Sequence, residues 1–410
     1  LNKISSRDLG ILRELAKKQM EIAEAPEMAI LKKKWIDHNA LRGERPMVKI
    51  ELGTFGNELI LPLMKCEGEE ARGYEHTLLS NTYNVLNFGD DTFVGNYYPM
   101  ARWGYLNPLG IDVKVDHTDG LGHHFVPAIT DLEDDFHKIK KSPYGFWETE
   151  EQFRGMVDNV SEIFGESMPV RVEGGTLYVC LTQNLVHLMS MEDMFVSMYD
   201  YPDLFKQMIN GLADDYLEYF DFLEAENAIL PTVDGQGVGN GTFAFGDELP
   251  SSGILKTNDV WGFCDSQETV GISNEMFGEF IFPAYKRIAE RYGLLSYGCC
   301  EPVHQIYDDY LSKFKNLRKL SVSPWSDERF IGERLAGTKT IYHRKPSPNF
   351  IGVGTTLDED ACRKHIAETV EAAKNCKLEI TVRDVYTVNN DPNKVKKFVD
   401  IIKEEIERRF

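Results

Sequence analysis

Residues 294–304, LLSYGCCEPVH, place two adjacent cysteines, a glutamate and a histidine, all metal-binding side chains, at the end of an apolar run. A short apolar run breaks at Gly298 into Cys299, Cys300 and Glu301, with His304 three residues on. Thiolate, imidazole and carboxylate each offer a lone pair, and zinc collects such donors in tetrahedral array at about 2.0–2.3 Å. Cysteine is also among the most often buried residues, so an isolated pair is more often core than ligand. The polar neighbours Glu301 and His304 favour the metal. If the strand continued through the pair, the two thiols would point to opposite faces and only one would meet a pocket. Glu301 has a competing role, as the cap of a helix that His304 begins, with the histidine then facing solvent.

Other ionisable residues end apolar runs in the same way. Residues 228–233 end in Asp234-Gly-Gln-Gly, and residues 259–263 end in Cys264-Asp265-Ser266-Gln267-Glu268. Leu317–Val322 runs into Ser323-Pro-Trp-Ser-Asp327, residues 338–342 into His343-Arg344-Lys345, and Lys377–Val382 into Arg383-Asp384. Asp234, Asp265 and Glu268 are acid–base candidates whose pKa enclosure would raise, or structural partners of Arg344, Lys345 or Arg383. Arg344 and Lys345 also suit an anionic substrate group, since a guanidinium binds carboxylate or phosphate through two parallel hydrogen bonds.

Those runs must be positioned by a fold. From residue 225 most of them are separated by helical segments such as 274–292, and alternating strands and helices imply a parallel sheet with right-handed crossovers. Upstream, residues 47–52 alternate like a strand, 70–87 read as a helix and 92–98 as a strand. Residues 170–179 read as a strand in which Gly174-Gly175 permits close backbone approach. Eight such units close into a TIM barrel whose chemistry lies at the carboxyl ends of the strands. Asp234, Glu268, Cys299, Cys300, Asp327, His343 and Asp384 would then share one mouth. A doubly wound sheet is the alternative, but it favours a dinucleotide fingerprint near the start, and the glycines of 235–241 come late and alternate.

The remaining segments read as supports. Residues 1–45 form a charged helical extension, a solvated outer layer, and residues 134–166 another. Residues 103–130 read as an inserted hairpin, with His117, His123 and His124 near Asp116 and Asp119 about a turn at Gly120 and Gly122. Histidines there are more often solvated than ligating. The helical region 184–224 carries Met189, Met191, Met194 and Met198, which at that spacing are core filler.

Composition limits the function. The chain has 410 residues, 42% of them hydrophobic, enough for a large core. Sixty-six acidic against 45 basic residues give a formal charge of −21, which opposes nucleic acid or an anionic membrane as a partner. Seven irregularly spaced cysteines and the lack of a secretory or membrane-length apolar run predict a reduced, cytoplasmic protein.

The order of segments resembles the uroporphyrinogen decarboxylase superfamily. The residues that carry the likeness are Gly278-Glu-Phe-Ile-Phe-Pro-Ala-Tyr-Lys-Arg-Ile before LLSYGCC, residues 320–325 after it, and the strand from Lys377 with Asp391-Pro-Asn-Lys-Val beyond. The resemblance covers the chain from about residue 45 and implies a single TIM-barrel domain over 46–410. It includes a decarboxylase and methyltransferases that exchange methyl groups with corrinoid proteins or coenzyme M. The decarboxylase holds its substrate with an amino-terminal arginine-rich stretch, and residues 46–62 contain no arginine. The methyltransferase branch places His-x-Cys where this chain reads Tyr297-Gly298-Cys299, and a further cysteine where it reads Arg383-Asp384.

By resemblance, then, the expected activity is methyl transfer between a small methyl ether, methylamine or thiol and a corrinoid supplied by a partner protein, assisted by zinc. The expected zinc ligands come from Cys299, Cys300, Glu268, His304, His343 and Asp384. The expected catalytic residues are Asp234, Glu268, Tyr297 and Asp327. Arg102, Trp103, Gln267, Arg344, Lys345 and Arg383 are the expected substrate contacts, and a homodimer is compatible with the family. Two alternatives stay open: a metal-free decarboxylase of an acidic substrate with a carboxylate clamp of Arg102, Arg344 or Arg383, and a small-molecule-binding barrel without chemistry.

Overall fold

The computed structural model describes residues 4–117 and 122–410. Seven parallel strands form one sheet in the order Met47–Ile50, Lys377–Val382, Ile341–Arg344, Leu317–Val322, Leu294–Tyr297, Trp261–Cys264, Leu177–Val179. Helices such as Glu328–Leu335, Glu359–Ala372 and Pro392–Arg409 cover one face, against which Val48, Ile50, Leu320, Val322, Tyr342, Leu378, Ile380 and Val382 pack. The alternate residues of the same strands, Lys49, Lys319, His343, Glu379 and Thr381, project to the other side, because side chains on a strand alternate between faces.

Beyond the seven strands, Tyr98–Met100 pairs in parallel with Val170–Val172, which leads through Gly174-Gly175 to the sheet edge at Leu177–Val179. A Cβ at Gly174 would lie 2.8 Å from the Leu230 Cβ, so the crossing chain requires a glycine there. At the opposite edge no described ladder joins Met47–Ile50 to the segment leading to Tyr98. Carboxylates bridge that seam instead: Val48 N–H donates to Asp91 Oδ2 at 2.8 Å, Ile50 N–H to Asp90 Oδ2 at 2.7 Å, and Asp91 N–H to Val48 O at 2.7 Å. The arrangement is a TIM-like α/β fold whose described strand ladders do not run the whole way round.

Several expected elements differ. Residues 228–233 form no strand, because Leu177–Val179 and Leu294–Tyr297 already occupy both edges of Trp261–Cys264. The segment contributes a side chain instead, Thr232 Oγ1 accepting from Trp261 N–H at 3.0 Å. Of residues 92–98 only the end is a strand, and the helical region 184–224 is three helices, Leu181–Val186, Met191–Asp200 and Pro202–Ala225, the last opening on proline.

The amino-terminal extension is not merely a solvated layer. Its second helix, Pro26–Asn39, buries Trp35, His38 and Asn39, and the Asn39 amide donates to Phe243 O at 3.0 Å and Phe245 O at 2.7 Å. The expected hairpin is present as Lys114–His117 against His123–Val126, with His117 and His124 exposed. Asp119 and Gly120 lie outside the described residues. No described helix is long and apolar enough to cross a membrane.

Candidate metal centre and mouth cavity

Two adjacent strands end in a buried group of metal-binding side chains. Val179 pairs with Cys264, so the next residues, Cys180 and Asp265, leave the sheet side by side. The turn after Asp265 brings Glu268 back to them, and one donor atom each from Cys180, Asp265 and Glu268 lies within 4.8 Å of the others. All three are buried. Thr182 Oγ1 donates to Glu268 Oε2 at 2.8 Å, and the Cys180 thiol faces the same oxygen at 3.5 Å. Tyr285 Oη donates to the Asp265 carbonyl at 2.7 Å, fixing the strand end. The Asp265 carboxylate receives Tyr178 Oη at 3.3 Å on Oδ2, while its buried Oδ1 has no hydrogen-bond partner among the described residues.

The electrostatics follow from burial with no ion-paired cation among the described residues. Desolvation, reinforced by the charge of Glu301, pushes the Asp265 carboxyl up to about 8. Burial likewise raises the Cys180 thiol, with Asp265 and Glu268 adding to it, and burial raises Glu301. Two carboxylates and a thiol crowded together, with one oxygen unpaired, are costly as bare anions. The donor set and the unpaired oxygen suit a zinc-type ion, which in catalytic sites takes three protein ligands and leaves a position open.

A cavity of about 700 Å³ lies next to this group, lined among others by Lys49, Trp103, Tyr178, Phe243 and Phe263. Tyr178 and Phe263 stack at 4.9 Å and precede Cys180 and Asp265 by two residues each, so the same strands serve both the cavity wall and the donors. Lys49 Nζ lies 4.5 Å from the Phe243 ring centre and has no hydrogen-bonded or ion-paired acceptor among the described residues.

The structure divides the expected site residues into three groups. Glu268 joins the donor group, Gln267 is half-buried in the turn that carries it, and Trp103 stands at the cavity rim, 63% exposed. Cys299, Cys300, Lys345 and Arg383 form a second cluster. The two sulfurs are 3.7 Å apart, so both thiols lie on one side, contrary to the strand alternation expected for them. The strand ends at Tyr297 and Gly298 takes φ +95°, which cancels the alternation. Lys345 donates to Asn240 Oδ1 at 2.9 Å, Arg383 donates to the same oxygen, and Arg383 also pairs with Glu51 at 3.0 Å.

The third group is committed to the fold. Asp327 caps the helix Glu328–Leu335, accepting from Phe330 N–H at 2.9 Å, and its own N–H donates to His304 Nδ1 at 3.1 Å, which turns that histidine toward the helix and away from the donor group. His343 is buried in the sheet interior, 2.8 Å from Thr381 Oγ1, and burial brings its pKa down to about 3. Asp384 is exposed and pairs with Arg383 at 3.2 Å. Asp234 is half-exposed; burial acts to raise its carboxyl, but Lys32 and Arg171 outweigh this and hold it below its ordinary value, the reverse of the expected acid. Tyr297 faces the helices, buried, with its hydroxyl 2.7 Å from Ser266 Oγ. Arg344, one residue out of phase with Lys345, also faces the helices and binds Glu328 at 2.6 Å. Arg102 donates to Glu148 O at 3.0 Å and covers the Phe146 ring. Of the three arginines offered for a carboxylate clamp, Arg102 and Arg344 are held by the fold, and Arg383 stands at the mouth beside Lys345.

Cys180 and Lys49 are the functional candidates that the sequence analysis missed. Their signal was present: Lys49 lies between Val48 and Ile50, whose apolar side chains take the helix face, and so shares the other face with Glu51, while Cys180 follows Tyr178 by two residues.

No family model matches this chain, and no curated protein matches it. Among solved structures, a methyltransferase from Methanosarcina mazei is similar over 91% of this chain and 98% of that one, with TM-score 0.52 and 13% sequence identity. At that identity the likeness is one of fold.

Proposed function

We propose that this protein is a metal-dependent methyltransferase, which moves a methyl group between a small substrate in the mouth cavity and a corrinoid carried by a separate protein. The observation that carries the reading is the buried group of Cys180, Asp265 and Glu268 with its unpaired Asp265 oxygen, beside a cavity of substrate size. The likeness of fold to a methyltransferase and the resemblance to the uroporphyrinogen decarboxylase superfamily support the reaction class. Zinc, held by those three residues, would supply Lewis acidity toward the heteroatom that carries the methyl group.

The chain's own residues prepare that step. Thr182 and Tyr285 fix the donors, and Tyr178 connects Asp265 to the cavity wall. Phe243, Phe263 and Trp103 offer an apolar enclosure that excludes water, and Lys49, with no paired acceptor among the described residues, meets an anionic part of the substrate. The decarboxylase reading keeps only Arg383 of its three arginines at the mouth.

The test has two parts. Protein purified without added metal or chelator is expected to contain about one zinc per chain, lost in Cys180→Ser and kept in Cys299→Ser. The zinc-loaded chain, offered aryl methyl ethers, methylamines or methyl thioethers with free cob(I)alamin, should convert the cobalamin spectrum to that of methylcobalamin. Retention of full metal in Cys180→Ser would refute the assigned ligands, and a zinc-loaded chain inert toward every donor class would refute the reaction.

A further inference from the structure

The pair Cys299 and Cys300 is not used by the metal-dependent reading, yet it touches it. Their sulfurs lie 3.7 Å apart in a half-buried turn at the mouth. Cys299 N–H donates to Glu301 Oε2 at 2.7 Å, and the other oxygen of Glu301 accepts from Ser266 N–H at 2.9 Å. Ser266 belongs to the turn that carries Asp265 and Glu268. One buried glutamate thus links the dithiol to two of the three proposed metal ligands. Ser321 Oγ holds the other side of the turn, donating to Cys299 O at 2.9 Å.

We propose that Cys299 and Cys300 form a redox-active vicinal dithiol, closed by hydroperoxides to a disulfide that loosens the Asp265–Glu268 turn through Glu301. The idea that the turn binds metal rests on the function proposed above; the disulfide does not. The surroundings favour the chemistry. Hydrogen bonding from Cys299 comes first, and Lys345 adds to it, in outweighing burial and lowering the Cys300 thiol, so that one thiolate of the pair is favoured at Cys300. Reactive cysteines sit in such partly exposed, electropositive places. Cys66, Cys180, Cys264, Cys362 and Cys376 are buried.

The steps balance. The Cys300 thiolate attacks one peroxide oxygen, the O–O bond breaks, and the departing hydroxide takes a proton to leave as water, giving a sulfenic acid. The Cys299 sulfur then attacks the Cys300 sulfur; the S–S bond forms, the S–O bond breaks, and the thiol proton leaves in a second water. Two thiols are oxidised and one hydrogen peroxide is reduced. Consecutive Cα atoms are about 3.8 Å apart, closer than the roughly 4.4–6.8 Å that disulfides prefer, so the ring closes only by twisting the peptide between them and is readily reduced again. That twist turns the Cys299 carbonyl held by Ser321 and, through the Cys299 Cα, strains the neighbouring hydrogen bond from Cys299 N–H to Glu301.

The test uses the full chain, hydrogen peroxide, and cobalt(II) as the metal probe. Peptide mapping should find Cys299 joined to Cys300, reversed by dithiothreitol and absent in Cys299→Ser and Cys300→Ser. Amide hydrogen exchange at Ser266 and Cys299 should speed up in the oxidised chain, and cobalt affinity should fall about tenfold or more, the usual consequence of losing a ligand's outer support. Thiols that stay free or stop at sulfinic acid, or an oxidised chain with unchanged amide protection, would overturn the proposal. If the reduced chain binds no cobalt, the metal-dependent function fails, while mapping and amide exchange still decide the switch.

Discussion

Two buried acidic groups inside this sheet invite comparison. Deep in the interior, Glu379 meets Lys319 at 2.8 Å, with both side chains fully buried, and His38 lies 3.3 Å from the same carboxylate. Burial acts to raise Glu379, but Lys319 and the histidines outweigh it, and the carboxyl lies well below its ordinary value. At the mouth, Cys180, Asp265 and Glu268 are also buried, with no ion-paired cation among the described residues, and Asp265 moves the other way, up to about 8. A buried carboxylate supplied with a cation completes the fold. One left without a cation is unstable in isolation and waits for a ligand.

The largest way to break the comparison is Lys319→Met, which leaves the Glu379 charge buried and uncompensated. It should destabilise the chain by about 3–5 kcal/mol, and adding Glu379→Gln should restore most of that. Denaturant midpoints check both, and a single variant as stable as the wild type would contradict the pairing. The mouth should respond in the opposite sense. Asp265→Asn removes a carboxyl that must take up a proton to be buried at neutral pH, so the metal-free chain should gain about 1–3 kcal/mol while zinc binding is lost. Destabilisation of metal-free protein by this change would argue that Asp265 is already satisfied.

Acid should weaken the interior first. The buried His343 has its pKa brought down to about 3 against about 6.5 unfolded, so the unfolded chain binds the proton more readily between those values. Stability contributed by neutral His343 is complete above pH ~6.5 and falls as the pH drops toward 3, by about 2 kcal/mol at pH 5. Urea titrations at pH 7 and 5 should show that loss, reduced in His343→Gln; equal loss in the variant would point elsewhere. The smallest effect is expected at Asp327. Asp327→Ala removes a helix cap at a cost of about 1 kcal/mol and should leave metal content and methyl transfer unchanged. A large fall in turnover at full metal loading would return Asp327 to the active site.

How much of this was legible varies by residue. Leu294–Tyr297, Leu317–Val322 and Lys377–Val382 were read with the bounds they have, because a short apolar run between a helix and a polar turn is a local pattern. Residues 228–233 carry the same pattern and form no strand, since both edges they would pair with are filled by distant segments. Arg344 and Lys345 are adjacent and equally basic, but alternation sends one to the helices and the other to the mouth. That parity was available in the sequence. The end of the alternation at Gly298, which puts Cys299 and Cys300 together, depends on how the chain turns after its strand.

By itself the sequence determined the alternation of strands and helices, the parallel sheet, and that polar residues would gather at strand ends, because these follow from periodicity and from the chemistry of single side chains. Which of those residues meet was decided only by tertiary structure. Cys180 and Asp265 are 85 positions apart and become neighbours through the pairing of Val179 with Cys264. His343 and Asp327, expected beside them, are held by Thr381 and Phe330 instead. Register, and the competition of each polar atom for the nearest partner in a medium without water, are properties of the assembled sheet and not of any one stretch of chain.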